Sequence, residues 1–259
     1  MKTAFRRTAK SILLAITASA LAAGAAPAAT VKNIILVHGA WVDGSGWKPV
    51  YEILVRDGYN VSIVQEPLTS MPEDVAATKR VIDMQPGPCI LVAHSYGGSI
   101  ITAAGTDPRV VGLVYVAAHE LDAGETEVSN GKLYPSATSK TKAIEKTPDG
   151  YTFLNPDDFP ADFAADLPRA QAEFEAHSQI PTAAKVFATT VVDPAWKTKP
   201  SWAIVATADK IINPDLERMY AARAHSHTIE VKGASHSVYE SRPREVSALI
   251  EEAAENAQP

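Results

Sequence analysis

The sequence predicts an α/β fold: a doubly wound, mostly parallel sheet with helices on both faces and one helical lid insertion. Three observations lead there. Short, almost continuously apolar runs alternate with stretches of helical periodicity, the pattern of parallel strands covered on both faces. One of these runs, Ile90-Leu91-Val92-Ala93, passes into a helix through His94-Ser95-Tyr96-Gly97-Gly98 with almost no loop. Between about His119 and Lys199 the alternation breaks down, and it resumes afterwards.

In order, Ile34-Ile35-Leu36-Val37 reads as the first strand, running into His38-Gly39-Ala40-Trp41. A helix over 47–57 places Val50, Tyr51, Leu54 and Val55 on one face, and Gly58 ends it. Val61 to Val64 is the next strand, and Pro72 to Met84 reads as a helix opening with proline and acidic residues. The Ile90 strand and its helix follow, then the strand Val111–Ala118. The stretch over about 119–199 is rich in Pro, Asp, Ala and Phe, shows no clear strand, and has short helical patterns around 159–165 and 168–177. Lying between two strands of a parallel sheet, it is expected over their carboxyl ends, where ligands bind, and is read as a lid. Strand-helix order resumes with Trp202–Ala206, a helix over Pro214–Ala224, the strand Thr228–Val231 and a last helix over Pro243–Glu255.

The first 29 residues are expected to stand apart from this domain, which would span 30–259. Lys2, Arg6, Arg7 and Lys10 precede the apolar run Ile12 to Ala23 and the small residues up to Ala29. That is the layout of a secretory signal peptide, cleaved between Ala22 and Ala29, and it implies a periplasmic or secreted protein. Arg6-Arg7 also hints at twin-arginine export. The segment holds four basic residues and no acidic one, so its removal takes the formal charge from −6 to −10. A mildly acidic domain without a basic run argues against nucleic acid or anionic membrane as partners. The single cysteine, Cys89, has no partner for an internal disulfide and reads as a small core residue.

The chemistry centres on Ser95. A turn so tight holds the serine in a strained conformation with its hydroxyl above the sheet, and it demands small neighbours at Ala93 and Gly97. A serine hydroxyl needs a base, and the base needs an acid to hold its tautomer. Of seven histidines, His236 lies just after the last strand, at the sheet edge that Ser95 occupies. His225 and His227 precede that strand at the opposite edge, and no further residue suits a metal there. His38 and His94 flank the serine and read as structural hydrogen-bonding residues. The acid is Asp209, directly after the penultimate strand, with Asp122 its rival one strand earlier. The order Ser95, Asp209, His236 fits a nucleophile-elbow hydrolase. The Tyr96 amide supplies one oxyanion donor and the Ala40 amide the other.

These residues resemble the α/β-hydrolase superfamily from about residue 31 to 255. The opening His38-Gly39-Ala40-Trp41 and the elbow Ala93-His94-Ser95-Tyr96-Gly97-Gly98 are similar to those of compact esterases related to plant methylesterases and hydroxynitrile lyases. The resemblance implies Ser95, His236 and Asp209 as a triad, Ala40 and Tyr96 as an oxyanion hole, and no cofactor. Ala93 departs from the glycine usual at its position. Lyase relatives carry a lysine after the catalytic histidine and a threonine after the first-strand histidine; Ser237 and Gly39 stand here instead.

The expected function is therefore an exported serine hydrolase acting on small to medium carboxylic esters. Lactone hydrolysis, cofactor-free perhydrolysis, C–C cleavage of a cyanohydrin, or a receptor using the same pocket are the alternatives. Gly39, Trp41, Tyr96, His119, Tyr134, Phe153, Phe159 and Phe163 are the expected pocket residues.

Overall fold

The computed structural model describes Met1 and residues 30–257, so the expected signal segment and its cleavage site lie outside the described residues. The main sheet has six strands: β1 (Asn33–Val37), β2 (Asn60–Ile63), β3 (Cys89–Ser95), β4 (Val110–Ala118), β8 (Ser201–Ala206) and β9 (His227–Val231). All its pairings are parallel, in the spatial order β2-β1-β3-β4-β8-β9. The α/β class expected from the sequence is the one observed.

Helices α1 (Lys48–Arg56), α8 (Val238–Ser241) and α9 (Pro243–Asn256) cover one face of the sheet, and α2 (Met71–Asp83), α3 (Gly97–Ala104) and α7 (Pro214–Ala224) the other. Alternation along each strand divides the core accordingly. Ile34, Leu36, Ile90 and Val92 pack under Val50, Leu54 and Ile250, while Ile35, Val37 and Leu91 pack under Ile82, Ile100 and Leu216. Cys89 is buried as a core residue. On α1 only Val50 and Leu54 are buried; Tyr51 and Val55 lie at the exposed margin, since a helix on a sheet buries a narrower stripe than four apolar positions.

The connection from β4 to β8 departs from the sequence expectation. Helices α4 (Glu127–Leu133), α5 (Phe159–Asp162) and α6 (Arg169–His177) are there, but so is a three-stranded antiparallel sheet of β5 (Ile144–Lys146), β6 (Tyr151–Leu154) and β7 (Thr182–Ala183). Strands of two to four residues are too short for a period of two to register in the sequence.

The chain order creates a crevice. From β1 the chain moves outward to β2, then returns to β3 on the other side of β1. The loops leaving the carboxyl ends of β1 and β3 therefore diverge, and a ligand can sit between them. Those loops carry Gly39-Ala40 and Ser95-Tyr96.

Close backbone approach at this junction requires glycine. A Cβ on Gly98 would meet the His119 carbonyl oxygen at 2.2 Å, and one on Gly97 the His38 carbonyl oxygen at 2.6 Å. Gly98→Ala is expected to destabilise the fold by about 1–3 kcal/mol, as overpacking against backbone does. The check is a lower denaturant midpoint with an unchanged slope.

Candidate active site

Ser95 is the last residue of β3 and has φ of 55°, in the left-handed region that non-glycine residues rarely adopt. Only Tyr96 separates it from α3. The reversal turns the Ser95 side chain out of the sheet and toward the crevice. Gly39 makes room beside it, because a Cβ there would lie 2.7 Å from Ser95 Cβ.

Ser95, His236 and Asp209 form one hydrogen-bonded chain. Ser95 Oγ lies 2.9 Å from His236 Nε2, and His236 Nδ1 lies 2.5 Å from Asp209 Oδ2. The other Asp209 oxygen accepts from the Ile211 and Ile212 amides at 2.7 and 2.9 Å, which fixes the carboxylate plane. The His236 and Asp209 side chains are wholly buried. Asp122 lies elsewhere: it pairs with Lys197 and accepts from the Ala123 amide at 2.6 Å.

His236 is gripped by aromatic rings. His94 lies 4.5 Å from it, centroid to centroid, with Tyr239 4.4 Å beyond His94. His94 Nε2–H donates to the His236 carbonyl at 2.9 Å. Phe163 meets His236 edge-on at 4.7 Å, and Phe159 stacks on Phe163. Both phenylalanines were expected in the pocket wall. They are fully buried behind the histidine instead, because α5 packs on the loop carrying it, with the Ser237 amide donating to the Phe163 carbonyl at 3.0 Å.

The loop after β1 is oriented by His38. The Glu66 amide donates to His38 Nε2 at 2.9 Å, so the ring proton sits on Nδ1 and donates to the Gly39 carbonyl, also at 2.9 Å. Holding that carbonyl fixes the plane of the Gly39–Ala40 peptide, and with it the direction of the Ala40 N–H. The Tyr96 N–H belongs to the residue directly after Ser95, at the positive end of α3. The Tyr96 side chain turns inward, donating to Asp74 Oδ2 at 2.7 Å, so it forms no part of the cavity wall.

A cavity of about 430 Å³ opens above Ser95, lined by Ala40, Trp41, His119 and Tyr134 among the expected residues. Gly39 lies beneath the serine instead. Phe153 is turned away because its neighbour on β6, Thr152, faces the cavity and successive side chains on a strand point oppositely. Sequence reasoning missed Ile144, Phe187, Ile211, Ile212, Leu216 and Glu127. Ile211 and Ile212 follow Asp209 so closely that their placement was accessible; Phe187, on a single helical turn of the insertion, left no periodic signal.

Trp41 ties this loop to the insertion. It has φ of 68°, its amide donates to Thr182 Oγ1 at 3.0 Å, its indole to Thr152 Oγ1 at 3.1 Å, and its carbonyl accepts from the Ile180 amide at 3.0 Å.

A family model described as the alpha/beta hydrolase family matches residues 34–249, and the chain belongs to that family. No curated protein sequence matches it. Among solved structures it is similar to a pyrethroid hydrolase from Sphingobium faniae JZ-2, with 22% identity, a TM-score of 0.73, and coverage of 88% of this chain and 98% of the other. A methylesterase from Arabidopsis gives 16%, 0.70, 86% and 98% in the same order. An extracellular alpha/beta-hydrolase from a Paenibacillus species, related in structure and function to tobacco salicylic acid binding protein 2, gives 17%, 0.68, 85% and 98%. At these identities the likeness is one of fold.

Burial disfavours the charged form of three of the histidines. His38 is lowered by desolvation, His94 is lowered strongly by desolvation and then by His236, and His119 falls to about 3 for the same two reasons. An NMR titration should show each of these three imidazoles taking up its proton at a lower pH than an ordinary histidine. His38 should carry its proton on Nδ1 throughout.

Proposed function

We propose that the protein is an exported serine hydrolase that cleaves small to medium carboxylic esters. The observation that carries this reading is the continuous chain from Ser95 through His236 to Asp209, opening into a cavity with mainly apolar walls. In the proposed mechanism His236 Nε2 takes the Ser95 proton as Oγ attacks the ester carbonyl. The negative charge that develops on the carbonyl oxygen is met by the Ala40 and Tyr96 amides, which need no reorganisation as the charge appears. His236 returns the proton to the departing alcohol, leaving an acyl group on Ser95. A water, activated by the same imidazole, then releases the acid. Asp209 keeps the imidazole proton on Nδ1 and stabilises the imidazolium while it lasts.

The names of the structural neighbours, a pyrethroid hydrolase and a methylesterase, agree with ester chemistry. The basic-then-apolar start of the chain supports export, and the β4–β8 insertion is proposed to act as the lid.

Ser95→Ala should abolish covalent labelling by a serine-directed phosphonate while the circular dichroism spectrum is retained. Labelling at an unchanged rate would refute the nucleophile. Asp209→Asn should lower turnover of an activated ester by about 10⁴, because the imidazole is then held in the wrong tautomer. Asp122→Asn, which removes only a contact with Lys197, should stay within a few-fold of the parent.

A further inference from the structure

The cavity above Ser95 carries charge on the wall that the insertion supplies. Lys132 on α4 and Lys146 on β5 both line it. Each is placed there by the period of its element. Lys132 lies one helical turn beyond Val128, and Gly131 one turn beyond Glu127, so these four share the face of α4 that meets the cavity. Side chains alternate on β5. Ile144 and Lys146 face the cavity, and Glu145 points the other way, where Asn155 Nδ2 donates to it at 2.7 Å. The strand thus presents its base to the cavity and withholds its acid. The surrounding sequence leans in the same direction: residues 131–146 hold four lysines and one acidic residue, in a chain of net charge −6.

Neither lysine has a counter-charge. Among the described residues no carboxylate comes within ion-pair distance of Lys132 or Lys146. Glu127, the carboxyl on this wall, is engaged from behind, where the Ser99 hydroxyl donates to Oε1 at 2.6 Å. Its other oxygen is reached through a relay. Glu125, paired with Arg223 at 2.7 Å, accepts from Asn130 Nδ2 at 2.9 Å. The same nitrogen donates to the Tyr220 oxygen at 3.0 Å, so the Tyr220 hydroxyl is left to donate to His119 Nδ1 at 3.3 Å. A neutral His119 then donates from Nε2 to Glu127 Oε2 at 3.3 Å. Two ammonium groups against one carboxyl leave the wall net positive in either form of Glu127.

The uncharged polar groups of the cavity are already committed. Thr152 donates to the Thr182 carbonyl at 3.0 Å, Ser139 to the Ser136 carbonyl at 2.7 Å, and Asn213 Nδ2 to the Pro135 carbonyl at 3.1 Å. Thr138 gives its proton to the Lys210 carbonyl at 2.7 Å, which leaves the Ser136 hydroxyl donating to Thr138 Oγ1 at 3.2 Å. With these protons spent inside the protein, the two ammonium groups are the strongest donors that the wall turns to a ligand, and their strongest acceptor is an anion.

We propose that Lys132 and Lys146 are specificity-determining residues, and that the preferred substrates are esters carrying an anionic group remote from the scissile bond. This rests on the reading of the cavity as an ester site. Ser95 receives the ester carbonyl, and the lysines of the insertion receive the anion at the other end of the same molecule. Val128, Ile144 and Phe187 give the cavity apolar wall for the hydrocarbon between. A contact so far from the reacting atoms is made alike in the bound substrate and the transition state, so it acts on KM more than on kcat. Both lysines are exposed, so salt screens it.

The test uses the full chain and straight-chain esters of graded length in two series: methyl half-esters of dicarboxylic acids, and acetyl esters of hydroxy acids. Each carboxylate is compared with its carboxamide, which has the same shape and no charge. The reading is the ratio of kcat/KM, carboxylate over carboxamide, so effects common to both members cancel. At one length in one series the ratio should be roughly tenfold higher in the parent than in the double variant Lys132→Met, Lys146→Met, chiefly through KM. It should fall as sodium chloride rises to about 0.5 M, and Lys146→Arg should keep it. The double variant Lys140→Met, Lys142→Met removes the same charge from the same segment at residues that do not line the cavity, and should leave the ratio as in the parent. A ratio equal in the parent and the Lys132, Lys146 variant at every length, or an equal loss in the Lys140, Lys142 variant, would overturn the proposal while turnover of the carboxamide esters keeps the ester reading. If no ester of either series is hydrolysed, the ester reading itself falls, and this proposal with it.

Discussion

The junction at Ser95 is the constraint on which the rest of the structure depends. A left-handed residue between a buried strand and a helix is tolerated only where the surroundings hold it there. Here the loop after β1 presses in through Gly39, the end of β4 is tied on by the His119 amide donating to the Ser95 carbonyl at 3.1 Å, and α3 packs down through Gly97 and Gly98. Each contact leaves no space for a side chain on the glycine involved. The same packing that strains the serine brings together the Ala40 amide, the Tyr96 amide and the Ser95 hydroxyl. Strain and site are one arrangement seen from two sides.

A second feature is how thoroughly the site assigns its protons. His38, His94 and His119 all lie around Ser95 and His236, and burial disfavours a charge on each of them. Each makes a hydrogen bond whose direction its partners dictate. His236 lies against Asp209. Neutral imidazoles in a dry site act as orienting groups, because placing a charge on them would cost heavily in such a medium. His119 Nε2 lies 3.3 Å from Glu127 Oε2.

The parts of the fold legible in the sequence are those with long-range regularity. Strands of four or more apolar residues and helices with a buried stripe announce themselves through periodicity, and the loops that follow strands inherit a position at one sheet edge. Ser95, Asp209 and His236 could be brought together on paper for that reason. The insertion obeys no such rule. Its strands are too short to alternate visibly, and whether an aromatic residue there faces the cavity or props up a neighbour depends on how α5 and β6 are set down. Phe159 and Phe163 differ from Tyr134 only in that respect. Glu127 was invisible because an acidic residue in the first turn of a helix is the commonest of surface arrangements, and nothing local marks this one as buried.

The contacts of Trp41 have a mechanical consequence. Its amide, carbonyl and indole are spent on Thr182, Ile180 and Thr152, so the residue after Ala40 is fastened to β6, β7 and the segment leading into β7. The loop that carries Ala40 and that part of the insertion are therefore coupled through one residue. Lifting β6 and β7 from the crevice would therefore either break these hydrogen bonds or displace the Ala40 amide beside them.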